Sequence, residues 1–136
     1  MVKFKAEELM RMEQVGVLHF LDTLVVTKEY KAERLNRFLQ DLLEKINEVA
    51  KKRDELAMSI IEKYGTEEEI TNKKLEETSP HYETAVAEYS EQYKPFAETI
   101  YEIDTDIDES FFANGICWTA NAVRNKLMIK ELFGRV

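Results

Sequence analysis

The sequence predicts a mainly α-helical protein built on a long antiparallel helical hairpin, with flanking N- and C-terminal helices and a minor two-stranded β element. Two apolar patterns at helical spacing, over residues 28–64 and 80–96, predict the hairpin. Alternating patterns at residues 2–5 and 101–108 predict the strands. Only 4 Gly and 2 Pro occur in 136 residues, 44% of which are hydrophobic, so we expect one ordered domain over residues 1–136.

The N-terminal region begins with apolar and charged residues in alternation, VKFK, which predicts a short strand at residues 2–5. Residues 6–24 then predict a helix, although Gly16 disfavours it locally by about 1 kcal/mol. Its predicted buried positions are Leu9, Met10, Val17, Phe20, Leu21 and Leu24. The β-branched residues 25–27 interrupt the helical pattern and form a weaker strand candidate, and Thr27 is the predicted N-cap of the next helix.

The strongest helical pattern runs from Lys28 to Tyr64. Apolar residues recur there at alternating spacings of four and three, at Leu35, Leu39, Leu42, Ile46, Val49, Leu56 and Ile60. A period near 3.5 residues keeps this apolar seam on one side of the helix, as in a coiled coil, and the helix would be about 55 Å long. We expect Gly65 to end it in the left-handed conformation that glycine adopts at low cost.

The second half of the hairpin follows a loop. Residues 66–79 have no apolar period and predict a surface loop with room for one helical turn. Ser79 and Pro80 then predict a helix start, with Ser79 as N-cap and Pro80 at the first helical position. Pro95 is expected to end or kink this helix. Its seam repeats the spacing of the first, at Tyr82, Val86, Tyr89, Tyr93 and Phe96. Two matching seams joined by one loop predict an antiparallel hairpin.

Residues 101–108, YEIDTDID, carry an acidic side chain at every second position. These side chains are Glu102, Asp104, Asp106 and Asp108. A calcium-binding loop that began at Asp104 would need Gly at its sixth position and Glu at its twelfth, where the chain has Glu109 and Gly115. The alternation instead predicts a strand with one wet face, and a loose cation site on the aspartates is the alternative. Residues 2–5 are the predicted partner strand, since their two lysines would oppose the acidic face.

Residues 116–133 follow a turn signal, Asn114-Gly115, and predict a final helix. Its predicted buried face consists of Ile116, Ala120, Val123 and Leu127. Cys117 is the single cysteine, which excludes an internal disulfide. Its apolar surroundings predict a buried thiol rather than a nucleophile.

Motifs for catalysis are absent from the sequence, which has no phosphate-binding loop, dinucleotide fingerprint, nucleophile elbow or zinc-protease motif. His19 and His81 have no second ligand at helical spacing, and residues 67–69 are expected to be exposed loop glutamates. No stretch of about 18 apolar residues is present. We therefore expect a protein that is not an enzyme, holds no cofactor or metal, and does not span a membrane.

Acidic charge is concentrated in residues 66–110, which carry 3 basic and 14 acidic side chains within a chain of net charge −8. This distribution disfavours direct nucleic-acid binding, which needs clustered lysine and arginine. The candidates for binding a protein partner are Glu102, Asp104, Asp106, Asp108, Arg53, Tyr89 and Tyr93. Their simpler interpretation is a solvated acidic face, an arginine whose stem packs on the seam, and core tyrosines. Their functional interpretation is an interface, where tyrosine and arginine are favoured.

The N-terminal half resembles a known family. The order HFLDTL (19–24), RLNRFLQDLLEKINEVAKKRDEL (34–56) and EKYG (62–65) is similar to that of small acidic phage and prophage proteins, catalogued as a domain of unknown function. Members begin with a lysine-rich strand-like segment and continue with a leucine-rich helix, a long charged helix, a variable acidic loop and a segment like YEID. Their genes often lie in the late, structural region of siphophages that infect Gram-positive bacteria. The resemblance implies a phage origin and a non-enzymatic role, and it brings no catalytic residues.

These observations lead to the hypothesis of a non-enzymatic phage protein that acts by protein–protein binding, as a virion-associated or assembly component. We expect a homo-oligomer, because the long helix extends beyond its partner helix and leaves apolar seam uncovered. The partner would be a phage structural protein or a host protein, in the host cytoplasm or the virion. The alternative is a counter-defence or host-takeover inhibitor whose acidic residues 66–110 occupy a basic, nucleic-acid-binding site of a host protein.

Overall fold

The computed structural model describes residues 1–133, and it confirms the mainly α class with a long hairpin and minor β elements. The elements in chain order are β1 (Val2–Lys5), α1 (Ala6–Val15), α2 (Val17–Asp22), β2 (Val25–Val26), α3 (Glu29–Tyr64), α4 (Glu67–Asn72), α5 (Tyr82–Ala97), β3 (Ile100–Ile103), β4 (Ile116–Cys117), α6 (Ala120–Arg124) and α7 (Lys126–Phe133). A 3₁₀ turn, Glu109–Ala113, lies between β3 and β4. The strands form two two-stranded sheets, β1 with β3 and β2 with β4, where the sequence predicted one.

Helix α3 is the longest element, and its 36 residues correspond to about 54 Å of helix. The buried apolar residues from its start to Val49 are Leu35, Phe38, Leu42, Ile46 and Val49. They keep the predicted helical period, with Phe38 buried in place of Leu39, which is half-buried. This stripe faces the hydrophobic core, which the first half of α3 shares with α1, α2, the β1–β3 sheet and the C-terminal elements.

Helix α5 packs antiparallel along α3, which confirms the predicted hairpin. At the far end of α3, the ammonium nitrogen of Lys63 lies 2.8 Å from a carboxylate oxygen of Glu88. Near the middle of α3, the ammonium of Lys52 donates to the hydroxyl of Tyr101 at 3.3 Å, just beyond the end of α5. The start of α5 therefore lies beside the end of α3, as an antiparallel pair requires.

The predicted N-terminal helix is broken at Gly16, whose φ of 75° is in the left-handed region that favours glycine. All its predicted buried positions are buried except Leu24, which is half-buried. Thr27 is not the N-cap of α3, because that position belongs to Lys28. The N–H of Thr27 instead donates to the carbonyl of Gly115 at 2.8 Å, next to the β2–β4 pair.

The connection between α3 and α5 contains helix α4, which begins with a capping box. The hydroxyl oxygen of Thr66 accepts the N–H of Glu69, and the Glu69 carboxylate accepts the N–H of Thr66. Glu69 is thus 9% exposed, although an exposed loop charge was predicted. The backbone of Gly65 is extended, with a φ of −83°, rather than left-handed as predicted. Ser79 does not cap α5, which begins at Tyr82, because its hydroxyl donates to Glu69 at 3.2 Å.

The β1–β3 sheet is antiparallel, which confirms the predicted pairing of the N-terminus with the acidic segment. Lys3 lies opposite Glu102, and their charged groups are 3.5 Å apart. The ammonium of Lys5 does not face an acidic side chain of β3 as predicted, because Lys5 lies opposite Ile100. Its ammonium lies 2.8 Å from the carboxylate of Glu98, just after α5, and this hydrogen bond raises the pKa of Lys5.

The C-terminal region contains a strand and two short helices where the sequence predicted one helix. Strand β4 directs Ile116 inward and Cys117 outward, because neighbouring strand residues point to opposite faces. Cys117 is therefore exposed, and the prediction of a buried thiol was wrong. Helix α6 begins after Thr119, whose hydroxyl oxygen accepts the N–H of Ala122 at 3.2 Å and so caps a new helix.

The buried face of the C-terminal helices also differs from the predicted one. Ile116 is buried, but Ala120, Val123 and Leu127 are exposed. The core instead receives Ala122, Ile129, Leu132 and Phe133. The ring centre of Phe133 lies 5.1 Å from that of Phe38, so α7 closes the core against α3. Apolar surface at Val123 and Leu127 is left outside the core.

Lys31, in the first turns of α3, is 6% exposed although it is charged. Its ammonium donates to the carbonyl of Phe111 at 2.6 Å, to the carbonyl of Asn114 at 2.8 Å and to the side-chain oxygen of Asn114 at 3.0 Å. The three donors of the ammonium therefore all have protein acceptors, as a buried charge requires. These bonds fasten the 3₁₀ turn and the residues before β4 to α3.

Candidate functional site

The acidic segment keeps the predicted in-and-out alternation through residue 108. Tyr101, Ile103 and Ile107 are buried, while the four acidic candidates are exposed. Strand structure covers just Ile100–Ile103, and residues 104–108 continue in an irregular conformation. The prediction of one wet face is confirmed, but the strand is half as long as predicted.

Glu102 and Asp106 are both paired within the chain. Glu102 faces Lys3 across the sheet, and Asp106 lies 2.8 Å from the guanidinium of Arg34 on α3. The hydrogen bond from Arg34 is the main cause that lowers the pKa of Asp106. Both carboxylates therefore offer a partner less uncompensated negative charge than the sequence suggests.

Asp108 and Asp104 differ in what they contact. Asp108 caps the 3₁₀ turn, where its carboxylate accepts the N–H of Phe111 at 3.2 Å and the hydroxyl of Ser110. The bond from Ser110 contributes most to the lowered pKa of Asp108. Asp104 is exposed and lines a polar cleft together with Arg37. Asp108 thus has a structural role that is sufficient to explain its position.

Arg53, Tyr89 and Tyr93 lie on the second half of the hairpin, where Tyr93 also packs against the edge of the core. We call residues 50–94 the arm. The rings of Tyr89 and Tyr93 stack with their centres 5.7 Å apart. Arg53 is half-buried, and its Nε lies 3.5 Å from a carboxylate oxygen of Asp54. Burial raises the pKa of Tyr89, while the nearby charge of Arg53 opposes that rise. Of the seven candidates, these three form one continuous group.

The arm is weakly buried compared with the rest of the hairpin. Its buried side chains are Ile60, Glu69 and Ala85 alone. Val86 is 43% exposed. The half-buried apolar and aromatic side chains of the arm include Leu56, Met58, Ile61, Tyr64, Tyr82, Tyr89 and Tyr93. Because two helices alone cover one stripe of each other, the outer side of this row stays in contact with water.

A groove at the C-terminal end was not anticipated from the sequence. It measures about 500 Å³ and lies between the 3₁₀ turn, Trp118 and helices α6 and α7. Its apolar lining consists of Phe112, Ala113, Trp118, Val123, Leu127 and Ile129. We call it the C-terminal groove. The sequence feature that could have predicted this groove is the presence of two apolar faces in residues 120–133. The core covers one of these faces, so the other stays outside it.

No protein-family model, no curated protein and no solved structure matches this chain. Within residues 1–133, no three or more His, Cys, Asp or Glu side chains are grouped so that they could hold a metal ion. No helix in the same part of the chain is long and apolar enough to cross a membrane. Among the described residues, the arm and the C-terminal groove are both partly uncovered apolar surfaces.

Proposed function

We propose that this protein acts by binding proteins, as a non-enzymatic structural or assembly component of a phage, and that the arm is its self-association surface. The observation that carries the proposal is the half-buried row of apolar and aromatic side chains along the arm. The resemblance of residues 19–65 to small phage proteins supplies the setting, which is the virion or the host cytoplasm.

The row has the composition of a helix-bundle core without a second layer to cover it. Leu56 on α3 and Tyr82, Tyr89 and Tyr93 on α5 are all half-buried. In a four-helix bundle such side chains are enclosed by the opposing pair of helices. Covering the rest of their surface would contribute roughly 25 cal/mol for each Å² of apolar area. A second arm would supply the missing helix pair.

Arg53 adds a specificity element to this surface. It lies on the apolar seam of α3, and its charge acts on Tyr89 across the two helices. A charged residue in a seam favours one register, because a shifted register would bury the charge without a partner. The arm would therefore pair in one defined alignment rather than slide.

Light scattering on two matched variants tests this proposal. Val86→Glu places a charge on the open side of the row, whereas Thr84→Glu places the same charge about 200° away around α5. Both side chains are exposed, so both variants should fold, which circular dichroism checks. We expect the wild type and Thr84→Glu to exceed the 16.0 kDa monomer mass and Val86→Glu to remain at it. A wild-type monomer throughout roughly a tenfold concentration range would refute self-association through the arm.

The inhibitor alternative has less support from the positions of its acidic residues. Glu102 and Asp106 are compensated by cations of the same chain, and Asp108 caps a turn. Changing Glu102 to Gln and Asp104 to Asn distinguishes the two functions. An inhibitor of a basic site would lose affinity for that site, whereas a protein assembled through its arm would keep its oligomeric mass.

A further inference from the structure

The C-terminal groove presents apolar side chains that the core does not use. Phe112 and Ile129 are buried and form its floor, and Trp118 is half-buried at its side. Val123 and Leu127, which are 57% and 71% exposed, form its open edge. The volume of about 500 Å³ falls within the range of about 300–1,000 Å³ that is usual for ligand pockets. Large exposed apolar residues beside a pocket are typical of an interaction site.

The rim of the groove is basic. Arg124, Lys126 and Lys130 line it, and Glu109 is the one acidic residue among the lining side chains. Within residues 1–133, none of the three cations takes part in an ion pair. The ammonium of Lys126 lies 5.1 Å from the ring centre of Trp118. In a chain of net charge −8, this rim is a local exception that would attract a negatively charged ligand.

We propose that the C-terminal groove binds an acidic amphipathic helix of a partner protein. Two or three apolar side chains of that helix, spaced at i, i+3/i+4 and i+7, would enter the groove and cover Val123 and Leu127. Its carboxylates would face Arg124, Lys126 and Lys130. The apolar floor provides affinity, and the basic rim selects acidic helices over basic ones.

Other occupants fit the groove less well. A nucleic acid would meet an apolar floor and the carboxylate of Glu109, and the acidic remainder of the chain would repel its phosphates. A second copy of this chain offers α4 as a short acidic helix. However, α4 has six residues, of which Ile70 alone is a large apolar one and is half-buried, so α4 has no row of apolar anchors at i, i+4 and i+7. The apolar row of α5 is already part of the arm.

Trp118 provides a direct readout, because it is the only tryptophan in the chain. The probe is a designed helical peptide of about four turns with leucines at i, i+4 and i+7, three glutamates beside them and alanines elsewhere. We expect the peptide to change the emission of Trp118 in a saturable manner at low salt. A matched peptide with lysines in place of the glutamates should bind at least roughly tenfold more weakly.

Variants of the full-length protein locate the binding site. Leu127→Glu should weaken binding of the acidic peptide by roughly tenfold or more, and Lys130→Glu by roughly fivefold with a weaker dependence on salt. Leu43→Glu is the control, because Leu43 is an exposed leucine on α3 outside the groove. Val86→Glu in the arm should bind the peptide like the wild type, so this proposal and the proposed self-association can fail separately.

Several results would overturn the proposal. One is the absence of a saturable response to the acidic peptide, and another is equal binding of the acidic and basic peptides. Unchanged affinity in Leu127→Glu would place the peptide elsewhere. A change in Trp118 emission with protein concentration alone would identify a second copy as the occupant. Tighter binding of a single-stranded oligonucleotide than of the peptide would identify a nucleic-acid site instead.

Discussion

Replacing Lys31 with methionine should loosen the C-terminal third of the molecule. Methionine keeps the apolar stem but removes the ammonium that donates to Phe111 and Asn114. The 3₁₀ turn and the residues before β4 would then lose their polar attachment to α3. These elements carry Phe112 and Ala113, so the change also acts on the C-terminal groove.

The size of the effect follows from which acceptors are left without a donor. Phe111 is buried, so its carbonyl would lose a charge-assisted bond without a water to replace it, at a cost of about 1–3 kcal/mol. Asn114 is exposed, and its two oxygens can turn to water at little cost. Removing the buried charge recovers part of its desolvation energy. We therefore expect Lys31→Met to lower the free energy of unfolding by about 2 kcal/mol.

Urea unfolding followed by circular dichroism measures this loss, with Lys51→Met as the control. Lys51 lies on the exposed side of the same helix, and its change should alter stability by less than about 0.5 kcal/mol. The Tm of Lys31→Met should fall by roughly 6–10 °C. If Lys31→Met were as stable as Lys51→Met, the three bonds would do no more than balance the cost of burying the ammonium, and the reasoning would be refuted.

Three further predictions concern other positions. Gly65→Ala should lower stability by roughly 2 kcal/mol, because its Cβ would lie 2.6 Å from the carbonyl oxygen of Ile61. A Cβ at Gly16 would meet open space, and the left-handed φ is the one source of strain, so Gly16→Ala should lower stability by about 1 kcal/mol. Equal losses of stability for the two variants in urea unfolding would contradict this difference. Backbone N–H bonds lower the pKa of Glu69 below its ordinary 4.5, so its stabilising contribution is complete above that pH and is lost as pH falls through the lower folded-state value. The difference in Tm between wild type and Glu69→Gln should therefore shrink in acid, and a constant difference would argue against it. Cys117 should react with a thiol reagent in the native protein in one fast phase, and reaction limited by unfolding would show that it is buried.

The long elements could be predicted because their patterns repeat many times. The seam of α3 recurs over several turns. The prediction of a long helix therefore holds although Phe38 is buried where Leu39 was expected to be. The alternation around Tyr101 likewise identified both the buried face of β3 and its partner strand. The residues of α3 fit the helical period of about 3.6 far better than the strand period of 2, and the residues around Tyr101 fit the strand period far better.

The C-terminal helices could not be predicted in the same way. Val123 and Leu127 fit a helical face as well as Ile129 and Leu132 do, and the choice depends on which face the rest of the fold covers. Thr119 is the local signal for a new helix start, and the long apolar pattern concealed it. The face that was predicted to be buried is instead the open edge of the C-terminal groove.

The connection between the hairpin helices shows a second limit of local signals. Ser79 and Pro80 are typical of a helix start in sequence. The hydroxyl of Ser79 instead donates a hydrogen bond to the carboxylate of Glu69, ten residues earlier. Gly65 was expected to be left-handed, yet it is extended because Thr66 immediately caps another helix. The same contacts explain why Glu69 is buried. The hydrogen bond from Ser79 to Glu69 decided the first outcome, and the capping box of Thr66 and Glu69 decided the second.

Hydrogen exchange measured at a low and a high protein concentration tests most directly whether the arm is completed by a second copy. If it is, the amides of residues 50–64 and 82–94 should exchange quickly in dilute protein and gain protection as the concentration rises. The amides of residues 30–49, which face the core within one chain, should be equally protected at both concentrations. Protection in the arm that is independent of concentration and equal to that of residues 30–49 would contradict self-association through this surface.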